Sequence, residues 1–247
     1  MPEVPSKLDY FLPNTQYNHL ILRYFNKLFI MRRFILTVLC ILVIGAIDAQ
    51  TISRTTVEQY RQLVATCTGG NAPQHRQNLQ QCADRLAKWG FTFNRSRIAE
   101  FAIFHMNPFF RKEGQDTVGC VVSTFNDAVT AISGVFSSAD PARAFSLLPG
   151  AAELQESIAT EQGLGKFVCS VKGKVNNKFP KSVAELKALL AEVEVSDVKW
   201  VFISWESADH KQMVTLVYDN KLYGKKKPRP HDRVELTIAV TDNRDLD

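Results

Sequence analysis

Apolar residues recur along the chain at two different spacings, and the change from one to the other falls near residue 195. From Thr55 to about Glu194 the spacing is helical. Thr55 and Glu58 form a capping box ahead of Val57, Tyr60, Val64 and Cys67, and Gly69-Gly70 predicts the stop. Leu79, Cys82, Leu86 and Trp89 follow at helical steps up to Gly90. Ile98, Phe101, Ala102 and His105 share one face of a third predicted helix, which must end before Pro108. Val118, Val121, Val122, Phe125, Val129, Ile132 and Val135 predict the strongest helix, from about Asp116 to Phe136. Asp140-Pro141 caps a short helix that Pro149 closes, and two more are expected over Ala151 to Glu161 and Leu164 to Val171. Ser182 and Glu185 then make a second capping box before Val183, Leu186, Leu190 and Val193.

Beyond that point the period becomes two. Val198 to Trp205, Met213 to Tyr218 and Val234 to Val240 are rich in β-branched and aromatic residues and read as strands, interrupted by Asp219-Asn220 and by Lys225 to Pro230. The expected fold class is therefore mainly α: a disulfide-bonded helical domain with a small β-rich C-terminal segment. No internal repeat is visible in the sequence.

Before these elements, Met31-Arg32-Arg33 precedes the apolar run Phe34 to Ile47 and the small residues around Ala49, the order of a secretory signal peptide. The run is about 14 residues, against about 20 for a membrane span, so cleavage after Ala49 is expected. The expected organisation is residues 1–30 as a gene-model extension, 31–49 as the signal, 50–195 as the helical domain and 196–247 as the β-rich tail. A secreted, extracellular protein follows, with no stable membrane association once the signal is cleaved.

Composition alters this picture little. A net charge of +5 is too small for a dedicated nucleic-acid binder, and 45% hydrophobic residues suffice for a sizeable core. Of the five cysteines, Cys40 lies in the leader. Cys67, Cys82, Cys120 and Cys169 form an even set in an oxidising compartment and read as two disulfides; their wide spacing argues against a metal. Cys82 is expected about nine residues into its helix, roughly 13 Å beyond the turn, too far to bridge to Cys67. Bridges from Cys67 and Cys82 to Cys120 and Cys169 are expected instead, in either crossed pairing.

Catalytic signals are thin. There is no nucleophile elbow, no His-Glu-x-x-His and no phosphate loop beyond the fragment Gly163-Leu-Gly165-Lys166. His105 reads as a core histidine, and Glu153, Glu156 and Glu161 as a solvated helix face. No catalytic residue, metal or cofactor is assigned, and a non-enzymatic protein is expected. Asn94-Arg95-Ser96 is a candidate glycosylation site. Lys221, Lys225, Lys226, Lys227 and Arg229 are a candidate polyanion-binding cluster, although lysines and prolines also blunt strand edges. Phe101, Phe104, Phe109 and Phe110 are candidates to line a lipid cavity, with core packing the plainer expectation.

The leader MRRFILTVLCILVIGAIDAQ, followed by four cysteines spread over a predicted helical domain, resembles the anophensin-type salivary proteins of anopheline mosquitoes over about residues 31–185. The resemblance implies a non-enzymatic, helical, disulfide-bonded inhibitor secreted in saliva. Its partners would be host plasma proteins: the alternative complement convertase, or factors of kallikrein-kinin contact activation. The residues before Met31 and the β-rich tail depart from that family. Two other classes compete: a carrier of small hydrophobic ligands with the helical logic of odorant-binding proteins, and a polyanion-binding module using the basic tail.

Overall fold

The computed structural model describes residues 54–94, 99–101, 104–113, 116–229, 232–244 and 246, so the leader lies outside the described residues. Two helices come first, α1 (Arg54–Cys67) and α2 (Leu79–Lys88). Gly69 and Gly70, at φ 78° and 54°, turn the chain out of α1. Asn78 caps α2 by accepting from the Gln81 backbone N–H, and the Gln81 side chain returns the bond. Strands β1 (Thr92–Phe93), β2 (Ala99–Phe101), β3 (Phe104–Glu113), β4 (Asp116–Phe125) and β5 (Ala128–Ser138) follow, then α3 (Pro141–Glu161) and β6 (Lys166–Gly173). The chain ends through α4 (Val183–Glu192), β7 (Val198–Glu206), β8 (Gln212–Asn220) and β9 (Val234–Asp242).

The mainly α, all-helical expectation is thus corrected. The nine strands form one antiparallel sheet in the order β1-β3-β4-β5-β9-β8-β7-β6, with β2 also on β3. The predicted helix from Asp116 to Phe136 is the β4–β5 hairpin, turned at Asn126-Asp127, both at positive φ. That is the backbone of a tight two-residue hairpin turn. The reason for the misreading is burial on both faces. Every β4 residue from Asp116 to Thr124 is buried, so apolar side chains occupy both sides of the strand and helical steps arise by coincidence. The third predicted helix is replaced by β2 and β3, with Pro108 inside β3, and the one expected over Leu164 to Val171 is β6. Pro149 lies within α3, where two shorter helices were expected. The C-terminal strands are as the period of two predicts, and β9 pairs with β5 along Ala131 to Ser138.

The order of elements repeats. From each edge the sheet runs inward as a meander, β1-β3-β4-β5 on one side and β6-β7-β8-β9 on the other, and each half carries a helix, α1 or α3, on the same face. The last strands of the halves, β5 and β9, meet antiparallel at the centre near the pair Val135 and Thr237. A duplicated layout that no sequence repeat announces is therefore present in the fold.

The main core lies between this face and the helices. Leu63, Leu86, Leu148 and Ile158 from the helices pack on Ile132, Phe136, Leu216, Tyr218, Leu236 and Val240 from the sheet. Gln155 of α3 is fully buried and donates from Nε2 to the carbonyls of Thr215 at 2.6 Å and Ala239 at 3.0 Å, tying the helix to β8 and β9. Arg76 performs the same role for the α1–α2 connection. It donates to the Val129 carbonyl and pairs through Nη2 with Asp242 at 3.0 Å, a carboxylate that Arg244 also binds.

Candidate functional site

A cavity of 320 Å³ lies between the helices and the seam of the two halves. Its walls are Tyr60 and Leu63 of α1, Leu86 of α2, and Leu147, Ala151 and Leu154 of α3. The floor is the sheet: Val118 and Cys120 of β4, Gly134 of β5, and Leu236 and Ile238 of β9. Gly134 and Ile238 are direct partners in the β5–β9 pairing, so the floor straddles the seam. Gly119, Val135, Trp89, Phe91, Gln59, Ser146 and Gly150 complete the lining. Ser146 and Gly150 are exposed and Gln59, Trp89 and Leu147 half-buried, so the cavity opens to solvent on the α1–α3 side.

Gly134 lets its neighbours come in close at the edge of this space. A side chain there would project toward α1: its Cβ would lie 3.2 Å from Ile238 Cγ1 and 3.2 Å from the Tyr60 ring. Gly150 contributes at the other end, where nothing lies within 4 Å of a Cβ. Space of this size and composition takes an apolar group, because water inside would find few polar partners.

The few polar atoms at the floor stay neutral. Burial, helped by the neighbouring Cys120, raises the Tyr60 phenol well above its usual range against a small opposing effect of Gln155. The hydroxyl donates to the Ile132 carbonyl at 3.5 Å. Burial likewise pushes the Cys120 thiol far up, with Cys67 adding to it, so Cys120 carries no thiolate. A charged group is bonded to residues of the lining. The Arg111 guanidinium lies 4.8 Å from the Phe91 ring centroid and donates to the Trp89 carbonyl at 2.7 Å and to Gln59 at 3.3 Å, all three of them lining residues.

The residues singled out in the sequence fall mostly elsewhere. Phe109 is buried in the core against Phe93, 5.0 Å between ring centroids, and Phe104 and Phe110 are half-buried; none of the three lines the cavity. The Phe101 side chain lies outside the described residues. His105 sits half-buried on β3, opposite Thr124. Asn94 is half-buried and its N–H donates to the Pro108 carbonyl, while Arg95 and Ser96 lie outside the described residues. Glu153 and Glu161 are exposed and pair with Lys187 and Arg61. Lys221 pairs with the buried Glu235, and Lys225 with Asp232. Lys226, Lys227 and Arg229 are exposed. Among the described residues no cluster of metal-binding side chains occurs, and no helix is long and apolar enough to cross a membrane.

The cysteine pairing differs from the expectation. All four are buried free thiols. Cys67 donates to Gln77 Oε1 at 3.5 Å and neighbours Cys82 closely enough that their interaction lowers the Cys67 thiol and raises that of Cys82. Cys120 stands near this pair, whereas Cys169 is alone on β6, its thiol pushed up by burial to about 12. The spacing argument failed because α2 starts at Leu79, after a short 3-10 turn over Pro73–His75, so Cys82 is in its first turn. What sequence reasoning missed is the cavity itself. The nearest signal was Gly134 within an apolar run, since a strand glycine marks a place where something approaches closely. No family model matches the sequence, and no curated protein or solved structure matches it either.

Proposed function

We propose that the protein binds a small amphipathic molecule, with an apolar body in the cavity and a polar, preferentially anionic, head at Arg111. The observation that carries this reading is the open 320 Å³ space with its apolar floor and the Arg111 guanidinium held against the lining residues Phe91, Trp89 and Gln59. At about 30 Å³ per small group, that volume accommodates a chain of roughly ten carbon atoms. The neutral Tyr60 and Cys120 supply no charge for chemistry on such a chain, so retention is the activity the site supports. The reading keeps the carrier function considered from sequence but places it in a sheet-based fold.

The test is displacement of the fluorescent probe N-phenyl-1-naphthylamine by decanoate and by decanol. Saturable probe binding displaced better by decanoate, with Arg111→Gln removing that preference and leaving decanol unaffected, is the expected result. No saturable binding, or binding that Ala151→Trp fails to weaken, would overturn it. Inhibition of host complement or contact factors remains a separate proposal that rests on the family resemblance, and protection of rabbit erythrocytes from lysis in human serum is its test.

A further inference from the structure

The described residues contain two exposed large hydrophobic side chains, Val168 at 43% and Phe179 at 69%, and both belong to the β6 edge of the sheet. Phe179 follows a turn held by Asn176 and Asn177, both at positive φ. Lys178 fixes the turn against β6 through paired backbone bonds with Val171 at 2.9 and 3.0 Å, and the buried Pro180 anchors its far side. Phe179 therefore stands outward on a braced loop. The stretch from Gly163 to Ser182 contains five lysines and no acidic residue.

The second basic loop lies at the same end of the sheet. Gly173 pairs with Val198, Trp200 with Asp219 and Asn220 with Val234, so the loop after β6 and the loop after β8 leave the sheet side by side. Two strand spacings, about 10 Å, separate them. Three acids here are paired, Asp197 with Lys174, Glu235 with Lys221 and Asp232 with Lys225, while Asp219 lies near Lys199, Lys221 and Lys225 and Glu185 accepts from the Lys181 backbone N–H. Lys178, Lys181, Lys226, Lys227 and Arg229 are exposed and make no ion pair among the described residues. The outcome is an exposed aromatic ring at an end of the sheet where five exposed cations make no ion pair among the described residues.

We infer that this end of the sheet docks on an anionic lipid bilayer, with Phe179 entering the headgroup and acyl boundary and the flanking lysines and Arg229 resting on lipid phosphates and carboxylates. An aromatic ring gains from the interface, and each cation near an anionic surface adds an attraction that salt screens. A soluble polyanion would satisfy the cations but leave Phe179 in water, which is why a bilayer fits the surface better. The inference is independent of the cavity: it uses none of the lining residues.

The experiment is sedimentation of the purified full-length chain with vesicles of phosphatidylcholine alone and of phosphatidylcholine with 30% phosphatidylserine, at low and high salt. Partition onto the serine-containing vesicles alone, weakened about tenfold or more by Phe179→Ser and removed by Lys226→Glu with Lys227→Glu, is expected. Phe179→Trp should retain binding and show a blue-shifted emission on vesicle addition. Because Phe179 is exposed, an unchanged thermal midpoint verifies that the serine variant is folded. Equal partition onto both vesicle types, no partition, or partition indifferent to Phe179→Ser would each overturn the proposal; in the last case heparin competition would identify a polyanion site instead.

Discussion

Gly134 of β5 and Ile238 of β9 face each other across the seam of the two halves, and the missing side chain at Gly134 is what lets the Tyr60 ring and Ile238 approach so closely at the edge of the cavity. Gly134→Ala therefore forces Tyr60 or Ile238 to move. We expect a loss of about 1–3 kcal/mol in stability and weaker binding of N-phenyl-1-naphthylamine, read by urea denaturation and fluorescence titration. Full-strength probe binding in this variant would show that the seam does not form the binding surface.

Gly150→Ala should act in the opposite direction. It lies inside α3 with nothing within 4 Å of a Cβ, so the added methyl meets no atom while the helix gains about 0.5–1 kcal/mol. A raised thermal midpoint is the expected result.

Cys67 and Cys82 should form the disulfide of the oxidised protein. Closing a loop of this length contributes about 3 kcal/mol on the chain-entropy account. Mass spectrometry of proteolysed, unreduced protein should find these two cysteines linked, with Cys169 alkylated only after unfolding. A linkage through Cys169 would contradict the arrangement, because Cys169 lies alone on β6.

Asp242 holds Arg76 and Arg244 with its own side chain fully buried, and the Arg76 side chain is only 7% exposed. Asp242→Asn leaves two guanidinium groups without their counter-charge. A loss of about 3–5 kcal/mol is expected, read as a lowered urea midpoint with an unchanged m-value.

Glu235 gives a pH-dependent prediction. Burial raises its carboxyl above the usual range, more than Lys221 lowers it, so the folded protein holds this proton more tightly than the unfolded chain does. This contribution to stability is complete below the unfolded value, about 4.3, and is lost as pH rises through the folded value. Glu235→Gln should therefore raise the thermal midpoint at pH 7, with the gain vanishing at pH 3. A gain that persists at pH 3 would show that packing, and not charge, is responsible.

Local chemistry sets local structure in this chain. The stops at Gly69 and Gly90, the cap at Ser182 and the alternation in Val234 to Val240 each work within a few residues, and α1, α2, α4, β7, β8 and β9 appear where those signals stand. Asn126-Asp127 is an equally local hairpin signal, but the apolar residues around it also fit a helical stripe. Strands β3 to β5 were hidden in this way: burial on both faces erases the period of two, and only neighbouring strands decide whether such a run is extended. The cavity was less legible still, since its walls come from residues between Gln59 and Ile238 and its volume is a property of none of them.

The amino-acid order by itself determined the stops at Gly69 and Gly90, the caps at Asp140 and Ser182, which C-terminal segments are extended, and that a basic cluster follows Asn220. Tertiary structure alone decided that β5 and β9 join two similar halves, that Cys67 meets Cys82, that a cavity opens over Gly134, and that Phe179 stands beside those cations. The physical reason is range: capping and alternation act between residues a few positions apart, whereas pairing, burial and empty space arise only when distant segments compete for the same surface.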